Sequence, residues 1–255
     1  MIIRETATHF TMITQNDHAH LAADMAAYLK PSLYLNSEYA SDVLLAIREH
    51  DRCWIKLDAM PIWNDQSHAP FGFDDYPIQP KMMFYRFGID EIQEMSAYAS
   101  YLSSVHFASF QPIRESDLPE CVEFVRYEKK RQASIQNQIQ MPEQDVIHRH
   151  SQLLKCCDDL SLYVSLNEPG VSKKEEHPWF RDGFDVTLDR EERMIAHWVN
   201  ERVVQVAPFP YVHEFSVSMK LKHVSKEAVQ KSGIDRAYHD TAWTEQTFHF
   251  IGEKG

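Results

Sequence analysis

The chain has 255 residues, of which 44% are hydrophobic and 25% charged, the proportions of an ordinary globular protein. A formal net charge of −12 disfavours non-specific binding to nucleic acid or anionic lipid, and the one basic run, Lys129-Lys130-Arg131, reads as a solvated helix face. Only seven glycines occur, with no GxGxxG or GxxxxGK(S/T) string, so a glycine-rich nucleotide cradle is excluded as well.

No window is apolar for the length a bilayer requires, and the opening MIIRETATHFTM lacks the apolar run and small-residue cleavage site of a signal peptide. The cysteines, Cys53, Cys121 and the adjacent Cys156 and Cys157, form neither a CxxC pair nor a disulfide framework. The expectation is a cytoplasmic protein with reduced thiols and no membrane or nucleic-acid partner. Its oligomeric state is not legible.

In chain order, Ile2-Ile3 and Phe10 to Ile13 predict a short hairpin. A helix follows from an N-cap at Asn16 or Asp17 to about Leu29, and a second runs from Ser37 or Ser41 to Trp54 or beyond. Pro61 to Pro80 (PIWNDQSHAPFGFDDYPIQP) reads as one long loop, of the kind that covers a site. Helical spacing returns over Asp90 to Phe110, Leu118 to about Ile139 and about Val146 to Leu166. After a charged connection, Asn167 to Asp185, the pattern predicts a helix over Asp189 to Glu201. Strands are expected over Arg202 to Val206, Glu214 to His223 and Glu245 to Gly252. This is an α+β chain, mainly α. Residues 1–185 make the helical core, and 186–255 make a small C-terminal antiparallel β region packed on it as one compact unit.

Polar residues interrupt the apolar stripes of these helices. In the second, Val43, Leu44, Ile47, His50/Asp51 and Trp54 recur at steps of three and four. A buried carboxylate there needs a partner or a shifted pKa. In the first helix His18 precedes Leu21 and Ala22 by three and four residues and faces inward, whereas His20 points out toward Asp24. Asp158 and Asp159 lie in LLKCCDDLSLY, where periodicity barely separates them. His106 sits between Leu102 and Phe110. Trp54 reads as core, and His148 and His150 as surface. A divalent ion explains the convergence economically: it cancels the carboxylate charge and accepts the ring nitrogens. The expected ligands are His18, His50, Asp51 and Asp158. His106 is either an outer group or part of a second metal site, which would also need His68, His148 or His150. The cofactor is a divalent ion (Fe, Mn, Zn or Ni).

The order H…HD…D on a helical scaffold resembles the HD-domain superfamily, which binds metal through those residue types and includes many phosphohydrolases and a smaller iron-dependent oxygenase branch. ITQNDHAHLA, REHDRCWIKLDAMP, YLSSVHFASF, LLKCCDDLSLY and VAPFPY are more closely similar to phrases of a bacterial family known only as a domain of unknown function. That resemblance spans most of the chain and implies an HD-domain-like helical core. It also implies His18, His50, Asp51 and Asp158 as ligands, prefers Asp158 over Asp159, and marks Asp58 as an outer acceptor for a ligand histidine. The lysines and arginines that grip phosphate in nucleotide-cleaving HD enzymes have no recognisable counterpart here. The expected function is a metal-dependent hydrolase of a phosphoester or nucleotide-like small molecule, with Asp58 and His106 as catalytic acid and base. The alternatives are an HD-type iron-dependent oxidase and a non-catalytic, metal-stabilised binding protein.

Overall fold

A computed structural model of the protein describes residues 1–188 and 193–253. The chain opens with a hairpin, β1 (Ile2–Glu5) and β2 (His9–Ile13), in which Ile2 faces Ile13 and Glu5 faces Phe10. Helix α1 (Gln15–Ala26) begins two or three residues earlier than the sequence predicts and ends at Ala26. Its N-cap is Thr14, whose Oγ accepts from the Asp17 amide at 2.9 Å. Helix α2 (Ala40–Glu49) stops well short of Trp54, because Asp51 leaves helical geometry at φ −101° and ψ 20°. A 3-10 turn (Arg52–Trp54) and a short helix, α3 (Ile55–Asp58), complete that stretch.

The expected long loop contains a two-residue hairpin, β3 (Trp63–Asn64) with β4 (Ala69–Pro70), and gives way to α4 (Ile78–Gln93). The single helix expected over Asp90 to Phe110 is divided. The end of α4 is followed by α5 (Ala97–Ser109), whose N-cap Ser96 accepts from the Ala99 amide and donates to Asp42 at 2.6 Å. A short α6 (Gln111–Arg114) leads to the long helices α7 (Pro119–Gln138) and α8 (Gln144–Leu166), both where periodicity places them.

The β region differs from expectation. Residues 189–192 lie outside the described residues. The rest of the helix expected over Asp189 to Glu201 is strand β5 (Ile195–Asn200), which buries alternate residues at Ala196 and Trp198. It pairs with β6 (Val203–Ala207). Strand β7 (Phe215–Ser225) is followed by two short helices, α9 (Lys226–Ser232) and α10 (Ile234–Asp240), and then by β8 (Thr244–Ile251). The strands form one six-stranded sheet in the order β1-β2-β7-β8-β6-β5. It is neither a small C-terminal region nor purely antiparallel. The N-terminal hairpin supplies one edge through β2 and β7, and β8 inserts between strands of opposite direction, so it must run parallel to one of them, β6.

The main core joins helices to sheet. Leu21, Ala22 and Met25 of α1 and Val43 and Ile47 of α2 share one apolar cluster with Leu154 of α8, Met219 and Leu221 of β7 and Phe248 of β8. Helix α1 therefore lies between the other helices and the sheet, and whatever its inward face carries is sealed from water. Trp54 is fully buried in a second cluster against Tyr85, Phe107 and Phe124. Within it α4 presses on the 3-10 turn at Gly88, where an added Cβ would come 2.6–2.8 Å from Cys53. All four cysteines are free and buried. Among the described residues no helix is long and apolar enough to cross a membrane.

Candidate metal centre

The inward histidine of α1, the break at the end of α2 and the middle of α8 meet at one point. His18 Nε2 lies 3.2 Å from His50 Nε2, 3.4 Å from Asp51 Oδ2 and 3.1 Å from Asp158 Oδ1. His50 Nε2 lies 3.4 Å from Asp158 Oδ1 and 3.7 Å from Asp51 Oδ2. All four residues are buried. The break after Glu49 explains how adjacent residues share a target. On a continuous helix His50 and Asp51 would diverge by about 100°, but Asp51 turns back at the helix end.

The hydrogen bonds around the rings orient them and set the tautomer each adopts when neutral. His50 Nδ1–H donates to the Ile47 carbonyl at 2.7 Å, which leaves Nε2 as a bare acceptor. Ser161 Oγ donates its hydrogen to the Asp158 carbonyl at 2.9 Å, so it accepts from His18 Nδ1–H at 2.6 Å, and His18 Nε2 is bare as well. With both rings neutral, two nitrogen lone pairs and two carboxylates thus face one another, and the donor that reaches them is the Gln15 side chain at Asp51. One proton shared by the imidazoles would leave the carboxylate charge half balanced. Burial pushes the His50 pKa down, but Asp51 and Asp158 overcome this and hold it at about 9. His18 is raised by the same neighbours against its burial. Burial works against ionised Asp158, yet His50, His106 and His18 hold its pKa well below the usual range. The centre calls for positive charge.

His18, His50 and Asp51 could hold a divalent ion. Ligand atoms bound at about 2.1 Å with angles of about 90–110° between them stand about 3.0–3.4 Å apart, and all the spacings above except Asp51 to His50 match. Among the described residues, His18, His50 and Asp51 are the group whose ligand atoms all lie within 4.8 Å of one another. Asp158 adds a carboxylate within 3.4 Å of both imidazoles. Gln15, at the first position of α1, donates its amide to Asp51 Oδ2 at 2.9 Å, and its own Oε1 is buried with no donor among the described residues.

The remaining expected residues are placed differently. His106 Nε2 lies 3.2 Å from Asp158 Oδ2, so Asp158 stands between His106 and the other two imidazoles, although the alignment is not that of a hydrogen bond. Asp58 is not the outer acceptor of a ligand histidine, because Ser161 and the Ile47 carbonyl fill that role. Its oxygens accept from the Met1 ammonium at 2.6 Å and the Gln15 amide N–H at 2.7 Å, so it reaches the cluster only through Gln15. Asp159 turns away to an ion pair with Lys155 at 2.7 Å. His150 is buried rather than at the surface, with Nε2–H donating to the Tyr34 carbonyl and Nδ1 accepting from Tyr98. His68 and His148 are exposed, so the second histidine set a two-metal centre needs is not assembled. Gln15 and Ser161 are the contributors least visible beforehand. Ser161 lies three residues beyond Asp158, on its stripe, and Gln15 carries no signal beyond its place at a helix start.

A cavity of about 450 Å³ opens beside Asp158. Phe73 and Asp74 of the proline-rich segment and Trp179 and Phe184 of the connection after α8 form part of its wall, so the segment expected to cover the site does border it. Lys81 and Lys155 also line it.

Fold and site together define a mainly helical α+β protein with a buried two-histidine, two-aspartate cluster beside a cavity. A family model described as Protein of unknown function (DUF3891) matches residues 1–226, and the chain belongs to that family. No curated protein and no solved structure matches the chain.

Proposed function

We propose that the protein is a metal-dependent hydrolase of HD-like type, with His18, His50, Asp51 and Asp158 holding one divalent ion and a small phosphoester entering through the cavity beside Asp158. The observation that carries this is the pair of Nε2 atoms, each left to the cluster by a bond at Nδ1, facing two carboxylates in a buried site. A bound divalent ion would supply Lewis-acid polarisation of the phosphoryl group and a lowered pKa for coordinated water. Asp51 and Asp158 balance its charge, Ser161 and the Ile47 carbonyl orient the imidazoles, and Gln15 holds Asp51. Hydrolysis joins the oxygen of water to phosphorus and breaks the bond to the leaving oxygen, which takes a proton. His106, beside Asp158, is the candidate to carry that proton. Asp58 takes no part, since its oxygens are committed elsewhere.

The test is turnover by metal-loaded protein across phosphomonoester, phosphodiester and nucleotide panels. The expected result is activity that chelator abolishes and that Asp51→Ala loses together with its metal. The proposal fails if the loaded protein turns over no substrate while Asp51→Ala keeps its metal content.

A further inference from the structure

The cavity beside the cluster grades from wet to dry. At its mouth Trp179 is 55% exposed and the Asp185 side chain 92%. At its floor Tyr85 is 5% exposed and Asp158 6%. Much of the remaining wall is carbon: Phe73, Ile78, Phe110, Ile113, Leu162 and Phe184. The volume of about 450 Å³ is that of a small-molecule site.

The charges in the wall are already engaged, and their balance is acidic. Lys81 is 9% exposed and donates to the Phe73 carbonyl at 2.7 Å and the Asp74 carbonyl at 3.4 Å. Lys155 is paired with Asp159. These two ammonium groups stand against the carboxylates of Asp74, Asp158, Asp159 and Asp185. A divalent ion on the cluster offsets Asp51 and Asp158 and leaves the wall with no surplus of positive charge. Among the described lining residues a polyphosphate would meet no lysine or arginine without a partner, and would lay its charge along carbon.

We propose that the substrate is an ester with an apolar, aromatic or branched body and a single small anionic head, and that nucleoside di- and triphosphates are excluded. The body lies against Phe110, Ile113 and Leu162 while the head reaches Asp158 at the floor; on hydrolysis the apolar part departs as the alcohol toward the mouth. This rests on the metal centre proposed above.

Alkylphosphonic acids from methyl to octyl test it by calorimetric titration of metal-loaded protein, with metal content measured on the same samples. Each methylene buried in the cavity is worth about fourfold in affinity, so affinity should climb at about that rate through hexyl. ATP should bind at least about tenfold more weakly than hexylphosphonate. Ile113→Trp, which fills the cavity, and Leu162→Gln, which wets it, should each flatten the series while metal content stays at the wild-type level. A flat series in metal-loaded wild type, or ATP binding as tightly as hexylphosphonate, overturns this inference alone. Wild type that takes up no metal overturns the metal centre and this inference with it.

Discussion

Ser161 touches no substrate in this account, yet its hydroxyl decides which nitrogen of His18 is bare. It is fully buried, accepts from His18 Nδ1–H at 2.6 Å and donates to the Asp158 carbonyl at 2.9 Å. Ser161→Ala leaves a buried imidazole N–H without an acceptor, which costs about 1–3 kcal/mol of stability. It also frees the proton to move to Nε2 and remove a metal ligand. Loss of such an orienting partner lowers metal affinity about 10–100-fold, or about 1.4–2.7 kcal/mol. The assay is competition for zinc against a chromogenic chelator, with urea unfolding of the metal-free protein alongside. Ser165→Ala is the control. It is equally buried and one turn further along α8, and its Oγ donates to the Ser161 carbonyl at 2.7 Å without contacting either imidazole. Both variants should lose stability, and only Ser161→Ala should lose affinity. If Ser161→Ala binds zinc within about twofold of wild type while its metal-free form is destabilised, Ser161 is a packing residue and the tautomer reasoning is wrong.

Three further outcomes are expected. Gly88→Ala drives a Cβ to 2.6–2.8 Å from Cys53 and should push the 3-10 turn after Asp51, costing about 1–3 kcal/mol and weakening metal binding; unchanged urea midpoint and affinity would show that α4 does not brace the cluster. Burial lowers the pKa of His150 from 6.5, partly offset by the Tyr34 carbonyl. As pH falls below 6.5 the unfolded chain therefore takes a proton that the folded protein refuses, and stability drops by up to about 1.4 kcal/mol per pH unit until the folded pKa is reached. His150→Gln should remove that slope between pH 7.5 and 5 in urea unfolding, and equal slopes in the two proteins would contradict it. Asp158→Asn should lose metal while Asp159→Asn keeps it, because only Asp158 faces the imidazoles; elemental analysis showing the reverse would reassign the carboxylate.

Periodicity located the cluster but not how it is built. His18 and Asp158 are legible because α1 and α8 are regular helices, where a three-to-four step fixes the face. The partnership of His50 with Asp51 depends on a helix end that no capping residue announces, so the spacing predicts a continuous helix to Trp54. The inward position of His150 is legible in its spacing, since Ile147 and Leu154, three before and four after it, are both buried. Pro77 and Pro80 concealed the start of α4, although proline is at home in a first turn. In β5 the sequence IAHWVN alternates, but the charged run before it suits a helix start, and a six-residue strand carries little pattern against that. The joining of the N-terminal hairpin to β7 and the parallel β6–β8 pair are pairings between distant segments, which local spacing cannot encode.

The most direct test of the central claim is elemental analysis of purified protein, dialysed after exposure to divalent ions, for wild type beside His50→Ala and Asp51→Ala. Convergence of His18, His50, Asp51 and Asp158 on a cation requires one divalent ion per chain in wild type and its loss in both variants, with chelator lowering the wild-type melting temperature. Wild type that retains no ion, and whose melting temperature is the same with and without chelator, would contradict it: the four side chains would then be a proton-sharing polar cluster.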